Sequence, residues 1–381
     1  MVSLPKFISF WKMRASFAEV GGPINYTGLT PGTVTDPMKG GVINPISIYP
    51  FPNFKAEQTK SYELGTNLRL FNNKINIDAT VYLTDTYNQT FLSSMSPASG
   101  YSGFYVQAGK VRNKGIELSL GYNDRFGKVG YATNLTYTAN RNKIMKMVHD
   151  YRNPADGSLF SITELTLQDK GGVYLREKDA IGDVYVKGIL ARGKDGKLIE
   201  EEGGYKVDRS QRIKIGSVNP DFSIGWRHNV TWNNLTLDLL FNGRFGGIVT
   251  SSTQAFLDDY GVSKDTYKAR QNGGVWVNGT QYDAEKYYTT IGGEQLMAYY
   301  AYKATNIRLQ EASLSYTLPG KWFGNVINRL TVSAIGRNLW MIYNKAPFDP
   351  EMTSSTGTYN RGDVFMPPSL RSVGFSVKIE L

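Results

Sequence analysis

Apolar and polar side chains alternate along several segments of about ten residues each. In the segment 75–84 the odd positions from Ile75 to Leu83 are apolar, and most of the even positions from Asn76 to Thr84 are polar. The same division recurs in the segments 116–123, 221–232 and 372–381. Because a tilted strand of about ten residues crosses a bilayer, this pattern predicts transmembrane β-strands with one apolar and one polar face.

The connections between these segments are short and long in turn. Short turns are predicted at 72–74, 126–127 and 233–234, and long connections at 88–109, 141–220 and 246–305. Short periplasmic turns opposite long extracellular loops are the arrangement of an outer-membrane barrel. We therefore predict an all-β, transmembrane antiparallel β-barrel, with about ten strands in this chain and with 141–220 and 246–305 as long extracellular loop excursions.

One predicted strand changes register within its length. Ile307 and Leu309 lie on one face, but Ala312 and Leu314 have the opposite parity. An extra residue in one strand of an antiparallel pair produces this shift without ending the strand. The sequence therefore predicts a β-bulge near Gln310 and Glu311.

An open sheet of this kind would leave unpaired backbone groups along two edges in lipid, and each such group costs several kcal/mol. The start of the chain, Met1–Lys6, lacks the regions of a signal peptide. We therefore expect residues 1–381 to belong to a larger barrel whose other strands lie outside this sequence. A fragment, a split gene product and part of a longer chain are equally compatible with this expectation.

The composition narrows the classes of site. Aromatic residues make up 13% of the chain, and there are 40 Gly, 25 Tyr and no Cys, which favours strands and turns and excludes disulfides and thiolate sites. The formal charge of +10 is spread over single Lys and Arg residues, so nucleic-acid binding is not expected. The sequence contains no run of about 18 apolar residues, so no membrane-spanning helix is predicted.

Candidate catalytic groups are few. The two histidines, His149 and His228, lie in no recognisable motif, and we expect neither a metal site nor a cofactor. Adjacent carboxylates occur at Asp258–Asp259 and Glu200–Glu202. Neighbouring strand residues point to opposite faces, so these pairs do not face each other across a cleft, and we interpret them as solvated loop acids. No catalytic residue and no enzymatic activity are predicted.

Aromatic residues are frequent in the excursion 246–305. The candidates for contact with a substrate or a lid protein are Tyr260, Trp276, Tyr282, Tyr287 and Tyr288. Their rings could stack on sugars or pack against a lid, since large amphipathic side chains serve both purposes. They could equally pack within their own loop. Internal packing or lid contact is favoured over direct substrate contact.

Eight segments, in order along nearly the whole chain, resemble one known family. They are 10–20 (FWKMRASFAEV), 57–65 (EQTKSYELG), 108–117 (AGKVRNKGIE), 217–225 (SVNPDFSIG), 307–319 (IRLQEASLSYTLP), 335–340 (IGRNLW), 349–351 (DPE) and 367–374 (PPSLRSVG). These segments are similar to the C-terminal half of the barrel in the SusC/RagA family of TonB-dependent outer-membrane transporters.

The resemblance implies a barrel of about 22 strands, a size associated with plugged transporters. It also implies an N-terminal plug and a TonB box, which we expect to lie outside this sequence, and a separate extracellular lid, a SusD-like lipoprotein. The implied function is energy-dependent import of oligosaccharides or peptides through the outer membrane, with the TonB complex acting through the missing N-terminal part. The sequence does not separate a glycan substrate from a peptide.

Two alternatives from other classes remain. A secreted all-β carbohydrate-binding or carbohydrate-active protein would require facing acids and a dry interior, whereas the polar faces here carry Arg69, Asp78 and Arg227. A structural or adhesive barrel without transport would be favoured if the full gene encoded no plug and no TonB box.

Overall fold

The computed structural model describes residues 5–22, 48–49, 55–152, 157, 159–167, 173–324, 326–354 and 362–381. Among the described residues, ten antiparallel strands, each paired with its neighbours in chain order, form the continuous path of a 13-stranded sheet, and we call these ten strands the wall. They are β1 (Ile8–Gly21), β2 (Gln58–Leu70), β3 (Ile75–Ser94), β4 (Gly103–Phe126), β5 (Val129–Lys146), β6 (Phe222–Trp232), β7 (Leu235–Phe245), β8 (Asn306–Pro319), β9 (Arg329–Asn344) and β10 (Ser372–Glu380).

One face of the wall is apolar and exposed, and we call it the outer face. Phe17 of β1 lies opposite Tyr62 of β2, and Tyr62 lies opposite Leu83 of β3. Phe17 is 58% exposed and Tyr62 is 50% exposed. A continuous sheet of exposed apolar side chains is unfavourable in water but matches the hydrocarbon core of a bilayer. The alternation in the sequence therefore produces the lipid-facing side of a membrane sheet.

The opposite, inner face is polar and tied together across strands. Arg14 of β1 donates two hydrogen bonds to the Asp78 carboxylate of β3, at 2.8 and 3.0 Å, and Asn67 of β2 donates a third at 2.9 Å. Farther along the sheet, Arg337 lies 3.1 Å from Glu311. Such pairs satisfy charges that face the interior of the barrel rather than lipid.

The short turns lie together at one end of the wall, as predicted. Asn72, Asn73 and Asn233 adopt positive φ angles of 57°, 66° and 51°, a conformation that asparagine tolerates better than most residues. Gly127 takes the same region at 61° between β4 and β5. These turns join strands directly, so the strands on either side cross the wall in opposite directions.

The predicted bulge in β8 is confirmed. Leu240 pairs with Glu311 and the next residue, Phe241, pairs with Leu309, which leaves Gln310 unpaired. The extra residue returns Ile307 and Leu309 to the outer face, because one inserted residue exchanges the two faces of a strand.

The predicted long connection at 88–109 is wrong in extent. β3 continues to Ser94 and β4 begins at Gly103, and their pairing extends from Gln89–Ala108 to Ser94–Gly103. Asn88 at φ 57° is skipped in the register, so the strand passes through an irregularity and then resumes. The polar residues around Asn88 and Gly109 hid this continuation because they interrupt the apolar alternation.

The long connections lie at the other end of the wall. Their short strands are Ile48–Tyr49, Val148–Arg152, Leu159–Ile162, Glu164–Leu167, Val173–Arg176, Asp183–Leu190, Glu200–Glu201, Gly204–Tyr205, Val207–Ser217, Ile248–Ser251, Val275–Val277, Thr280–Tyr282, Ala301–Lys303 and Gly362–Asp363. Three short helices, which the alternation did not predict, are α1 (Ser252–Asp259), α2 (Lys264–Gln271) and α3 (Ala284–Gly293). None of the helices in the described ranges is long and apolar enough to cross a membrane.

The buried apolar side chains lie in these connections and at the loop end of the wall strands. One cluster includes Val111 and Ile144 from the ends of β4 and β5, together with Leu167 and Leu175 from the first long excursion. A second cluster joins Leu190 and Leu198 to the helices. The wall therefore carries two folded groups of loops at one end, and each group has its own hydrophobic core.

Candidate functional site

The three helices of residues 247–305 pack against the short strands of residues 183–217, and we call this compact unit the loop platform. Ser251 caps the N-terminus of α1, and its hydroxyl accepts a hydrogen bond from the backbone N–H of Gln254 at 2.9 Å. Ser263 and Asp283 cap α2 and α3 in the same way. Side-chain caps of this kind define where short helices start, which lets eight- to ten-residue helices persist between long strands.

The start of α1 is also tied to the segment that precedes β10. The Ser251 hydroxyl donates to the Asp363 carboxylate at 2.6 Å, and both groups are buried. Ile248–Ser251 and Gly362–Asp363 pair as parallel strands at the same point. Two connections that are far apart in sequence therefore share one hydrogen-bonded junction.

The hairpin 275–282 brings two of the predicted contact residues to opposite environments. Its turn is Asn278–Gly279, with φ angles of 51° and 80°, which is the favoured two-residue hairpin turn. Trp276 points outward and is 62% exposed, whereas Tyr282 is 7% exposed. The Tyr282 hydroxyl accepts a hydrogen bond from the backbone N–H of Leu198 at 3.0 Å.

The five predicted contact residues therefore do not form one surface. Tyr282 belongs to the buried cluster, and Tyr287 and Tyr288 pack against it with their rings 5.4 Å apart. Burial raises the pKa of the Tyr288 hydroxyl to about 12. Tyr260, at 77% exposed, and Trp276 are the two that face solvent. Sequence position alone could not separate them, because burial depends on which helix face meets the neighbouring strands.

Asp258 is not the solvated loop acid that the sequence suggested. Its side chain is only 4% exposed, at the end of α1, and it accepts a hydrogen bond from the Gln254 amide at 2.9 Å. Burial raises the pKa of this carboxyl, and donors such as Ser263 offset the effect only in part. The close approach of α1 and α3 causes the burial. A Cβ atom on Gly292 would lie 2.5 Å from the Ala255 carbonyl oxygen.

A cleft of about 260 Å³ opens beside Asp258, between the three helices. Its lining combines acids, a guanidinium and aromatic rings, namely Asp258, Asp259, Tyr260, Arg270, Glu285 and Tyr288. Arg270 is held in place by donating to the Gly261 carbonyl at 2.9 Å. A buried carboxyl with a raised pKa in a cleft is a common property of functional sites.

A second, more open cleft of about 480 Å³ lies on the other side of α3. Its lining includes Glu201, Glu202, Tyr205, Arg209 and Glu294. Arg209 and Glu294 form an ion pair at 2.6 Å, and Thr289 of α3 lines both clefts. The platform thus presents adjacent polar surfaces that can donate and accept hydrogen bonds to amide or hydroxyl groups.

The Asp349–Glu351 segment, which carried part of the resemblance, has a clear structural role. Arg308, at the loop end of β8, is 4% exposed and lies 2.9 Å from Asp349 and 3.6 Å from Glu351. Burial opposes ionisation of Asp349, but the Ser369 hydroxyl and the Arg308 guanidinium donate to it, and its pKa is lowered overall. This buried pair anchors the last long connection to the wall.

The described residues contain no group of three or more His, Asp or Glu side chains arranged to hold a metal ion. His149 contacts the Glu177 carboxylate, and His228 contacts the Tyr131 hydroxyl at 2.9 Å. Each histidine thus has one polar partner on a neighbouring segment.

Comparison with known proteins gives one matching family. Residues 3–242 match the family described as TonB dependent receptor-like, beta-barrel. The chain is 25% identical over 373 residues to TonB-dependent receptor P3 of Formosa agariphila, covering 90% of the chain and 36% of that protein. It is 22% identical to TonB-dependent receptor P39 of the same organism, covering 95% of the chain and 38% of the relative.

The fold is similar to a solved transporter. The RagAB peptide importer in its "closed-closed" state matches with a TM-score of 0.73 at 18% identity, over 99% of this chain and 41% of that chain. The chain thus spans well under half the length of the relatives that it matches.

Proposed function

Because this chain belongs to the TonB dependent receptor-like β-barrel family, a family of the outer membrane, we propose that it contributes wall and extracellular loops to an importer of oligosaccharides or peptides. The single observation that best supports this is the combination of an apolar outer face with a folded loop platform at one end. In this proposal the platform meets substrate outside the cell, and the polar inner face lines the passage.

We propose that the protein works as a binder and carrier rather than as an enzyme. The clefts beside α3 supply carboxylates, hydroxyls and a guanidinium, which suit the many hydroxyl groups of a glycan or the backbone of a peptide. The exposed Trp276 and Tyr260 offer rings for stacking or for lid contact. RagAB, which has a similar fold, is a peptide importer, and this supports including peptides as substrates.

Other parts complete the transporter in this proposal. The first and last wall strands would pair with the remaining barrel strands, an N-terminal plug would close the passage, and the TonB complex would act through that N-terminal part. A SusD-like surface lipoprotein would cover the loop end. The folded, helix-containing platform supports this last assignment, since it offers a structured surface for a lid.

The test is energy-dependent uptake by the producing bacterium. Cells with and without the gene are given labelled oligosaccharides and peptides, and periplasmic accumulation is measured before and after the proton-motive force is dissipated. We expect the deletion to abolish accumulation of at least one substrate class. Equal accumulation in both strains across the whole panel would contradict the proposal.

The same assay tests Trp276 with a matched control. Trp276→Ala should lower the initial uptake rate by about two- to tenfold, which corresponds to the free energy of one aromatic contact. Trp322 is equally exposed, at 62%, but lies at the short-turn end of the wall. Trp322→Ala should leave the rate unchanged, and an equal loss in both variants would mean that Trp276 acts only through general stability.

A further inference from the structure

The outer face of the wall carries an uneven distribution of charge at its loop end. On β2–β5 basic side chains occupy neighbouring outer-face positions, which we call the basic belt. The members of the basic belt are Lys60, Lys110, Arg112, Lys114, Arg141, Lys143 and Lys146. The acids among or beside them are Glu19, Asp85 and Asp221.

The strand register makes the basic belt continuous. Lys60 lies opposite Asp85, and Arg112 lies opposite both Asp85 and Lys143. One row nearer the apolar region, Lys114 lies opposite Arg141. Directly opposed residues share a face of the sheet, so these side chains form a patch across adjacent strands.

The basic belt lies at the border of the apolar region. On β4 the outer-face charges nearest the two ends of the apolar stretch are Lys114 and Asp124, ten residues apart, with Ile116 and Tyr122 between them. Ten residues of strand at the usual tilt span about 25 Å across the membrane, the height of the apolar band of a barrel. Lys114 therefore lies at the level of lipid headgroups on the loop side, which is the extracellular side.

The acids in this patch do not balance the bases. Asp85, only 5% exposed, binds Arg112 at 2.7 Å and Lys110 at 2.8 Å, and Arg141 pairs with Asp221 at 2.9 Å. Within the described part of the chain, no carboxylate lies within 4.0 Å of Lys114 or Lys143, and both side chains are exposed. These two ammonium groups remain available to an external anion.

The rest of the wall provides an internal comparison. At a similar distance from the short turns, the outer face of β7–β9 carries Phe245, Ile307, Leu309 and Trp340. None of these side chains is charged. The basic belt is therefore a property of one sector of the wall and not of every strand at this height.

The basic belt faces away from the interior of the barrel, so a substrate in the passage does not meet it. We propose that Lys114 and Lys143, with the neighbouring members of the belt, bind the phosphate groups of an anionic lipid in the outer leaflet. Phosphate is matched by closely spaced Lys and Arg side chains, and basic clusters beside a membrane attract anionic headgroups. The adjoining apolar side chains Tyr62, Leu83 and Ile116 would contact the acyl chains of the same lipid.

The test uses the intact protein, purified from outer membranes in a nonionic detergent and stripped of lipid. Binding of diphosphorylated lipid A and of the same glycolipid without phosphates is measured by native mass spectrometry. We expect binding that depends on the phosphates. Lys114→Gln/Lys143→Gln should weaken it roughly 25-fold, about fivefold for each lysine at an anionic lipid surface.

Lys194→Gln/Lys197→Gln is the matched control, because it removes the same charge from an exposed loop turn. This pair should bind lipid A as the unmodified protein does, and both pairs should keep the heat-dependent mobility of a folded barrel. Equal loss in both pairs, equal binding of the dephosphorylated glycolipid, or displacement of lipid A by inorganic phosphate would overturn the proposal. So would a change of oligomeric state in Lys114→Gln/Lys143→Gln with lipid binding unchanged, since the patch would then be a protein interface.

Discussion

At the scale of single residues, the wall and the platform use charge in opposite ways. The buried Arg308 is matched by Asp349 and Glu351, so the cost of its burial is offset by direct partners. Asp258 is buried without a cationic partner within 4.0 Å in the described residues, and its neighbours Tyr288 and Tyr300 are aromatic. This buried carboxyl lines the cleft between the three helices.

The raised pKa of Asp258 predicts the direction in which stability changes with pH. The folded platform binds a proton at this carboxyl more tightly than the unfolded chain does, so stability rises as the pH falls through the folded-state pKa. Asp258→Asn removes the buried charge and should therefore raise the unfolding temperature at pH 7. The gain should shrink as the pH falls below that pKa, as followed by tryptophan fluorescence of the intact protein.

The half-buried neighbour Asp259 is the control for this change. Asp259→Asn should shift the unfolding temperature little at any pH. If Asp258→Asn destabilised the platform at pH 7, the carboxylate would be contributing stability there, and the direction assigned to its pKa would be wrong.

At the scale of elements, the wall strands follow from the sequence better than the platform does. Alternation over ten residues marks one face unambiguously, and even the bulge at Gln310 is visible as a change of parity. α1 and α2 have eight residues each, too few turns to establish a helical period, so they were not predicted. The burial of Asp258 was missed because it results from the packing of α1 against α3. The burial of Tyr282 results from contact with a segment 84 residues away in the chain.

The bulge in β8 predicts a difference between deletion and substitution. Deleting Gln310 would move Ile307 and Leu309 to the inner face and Arg308 to the lipid face. Near the membrane interface, where Arg308 lies, an arginine facing lipid costs only about 0–1 kcal/mol. Arg308 would also leave the buried Asp349 without its partner, which costs about 3–5 kcal/mol. We expect the deletion to prevent insertion of a folded barrel, judged by heat-dependent mobility of the membrane fraction.

Gln310→Ala keeps the residue count and serves as the control. It should insert normally, because the register depends on the extra residue and not on its side chain. Normal insertion of the deletion variant would show that the register shift is not needed for the β7–β8 pairing.

At the scale of the whole molecule, the wall is open within the described residues. β1 pairs on one side with β2, and β10 pairs on one side with β9. The outer edge of each strand presents backbone groups that lipid cannot satisfy, at several kcal/mol for each group. The proposal that further strands close the barrel rests on these two edges.

This geometry predicts the behaviour of residues 1–381 expressed alone. We expect aggregates or unfolded protein after refolding in detergent, because the two edges remain unpaired. Size-exclusion chromatography and heat-dependent mobility measure the outcome. A monodisperse, heat-modifiable product would contradict the need for additional strands.

The junction at Ser251 links the two loop groups in a way that bears on gating. The Ser251 hydroxyl both caps α1 and donates to Asp363, so one side chain connects the helices at the loop end to the segment that leads into the last wall strand. A movement of the helices away from the wall would pull the segment that leads into β10, and a shift of β10 would destabilise the first turn of α1. Any opening at the loop end of the barrel therefore has to move α1 and the segment before β10 together, or break the Ser251–Asp363 hydrogen bond first.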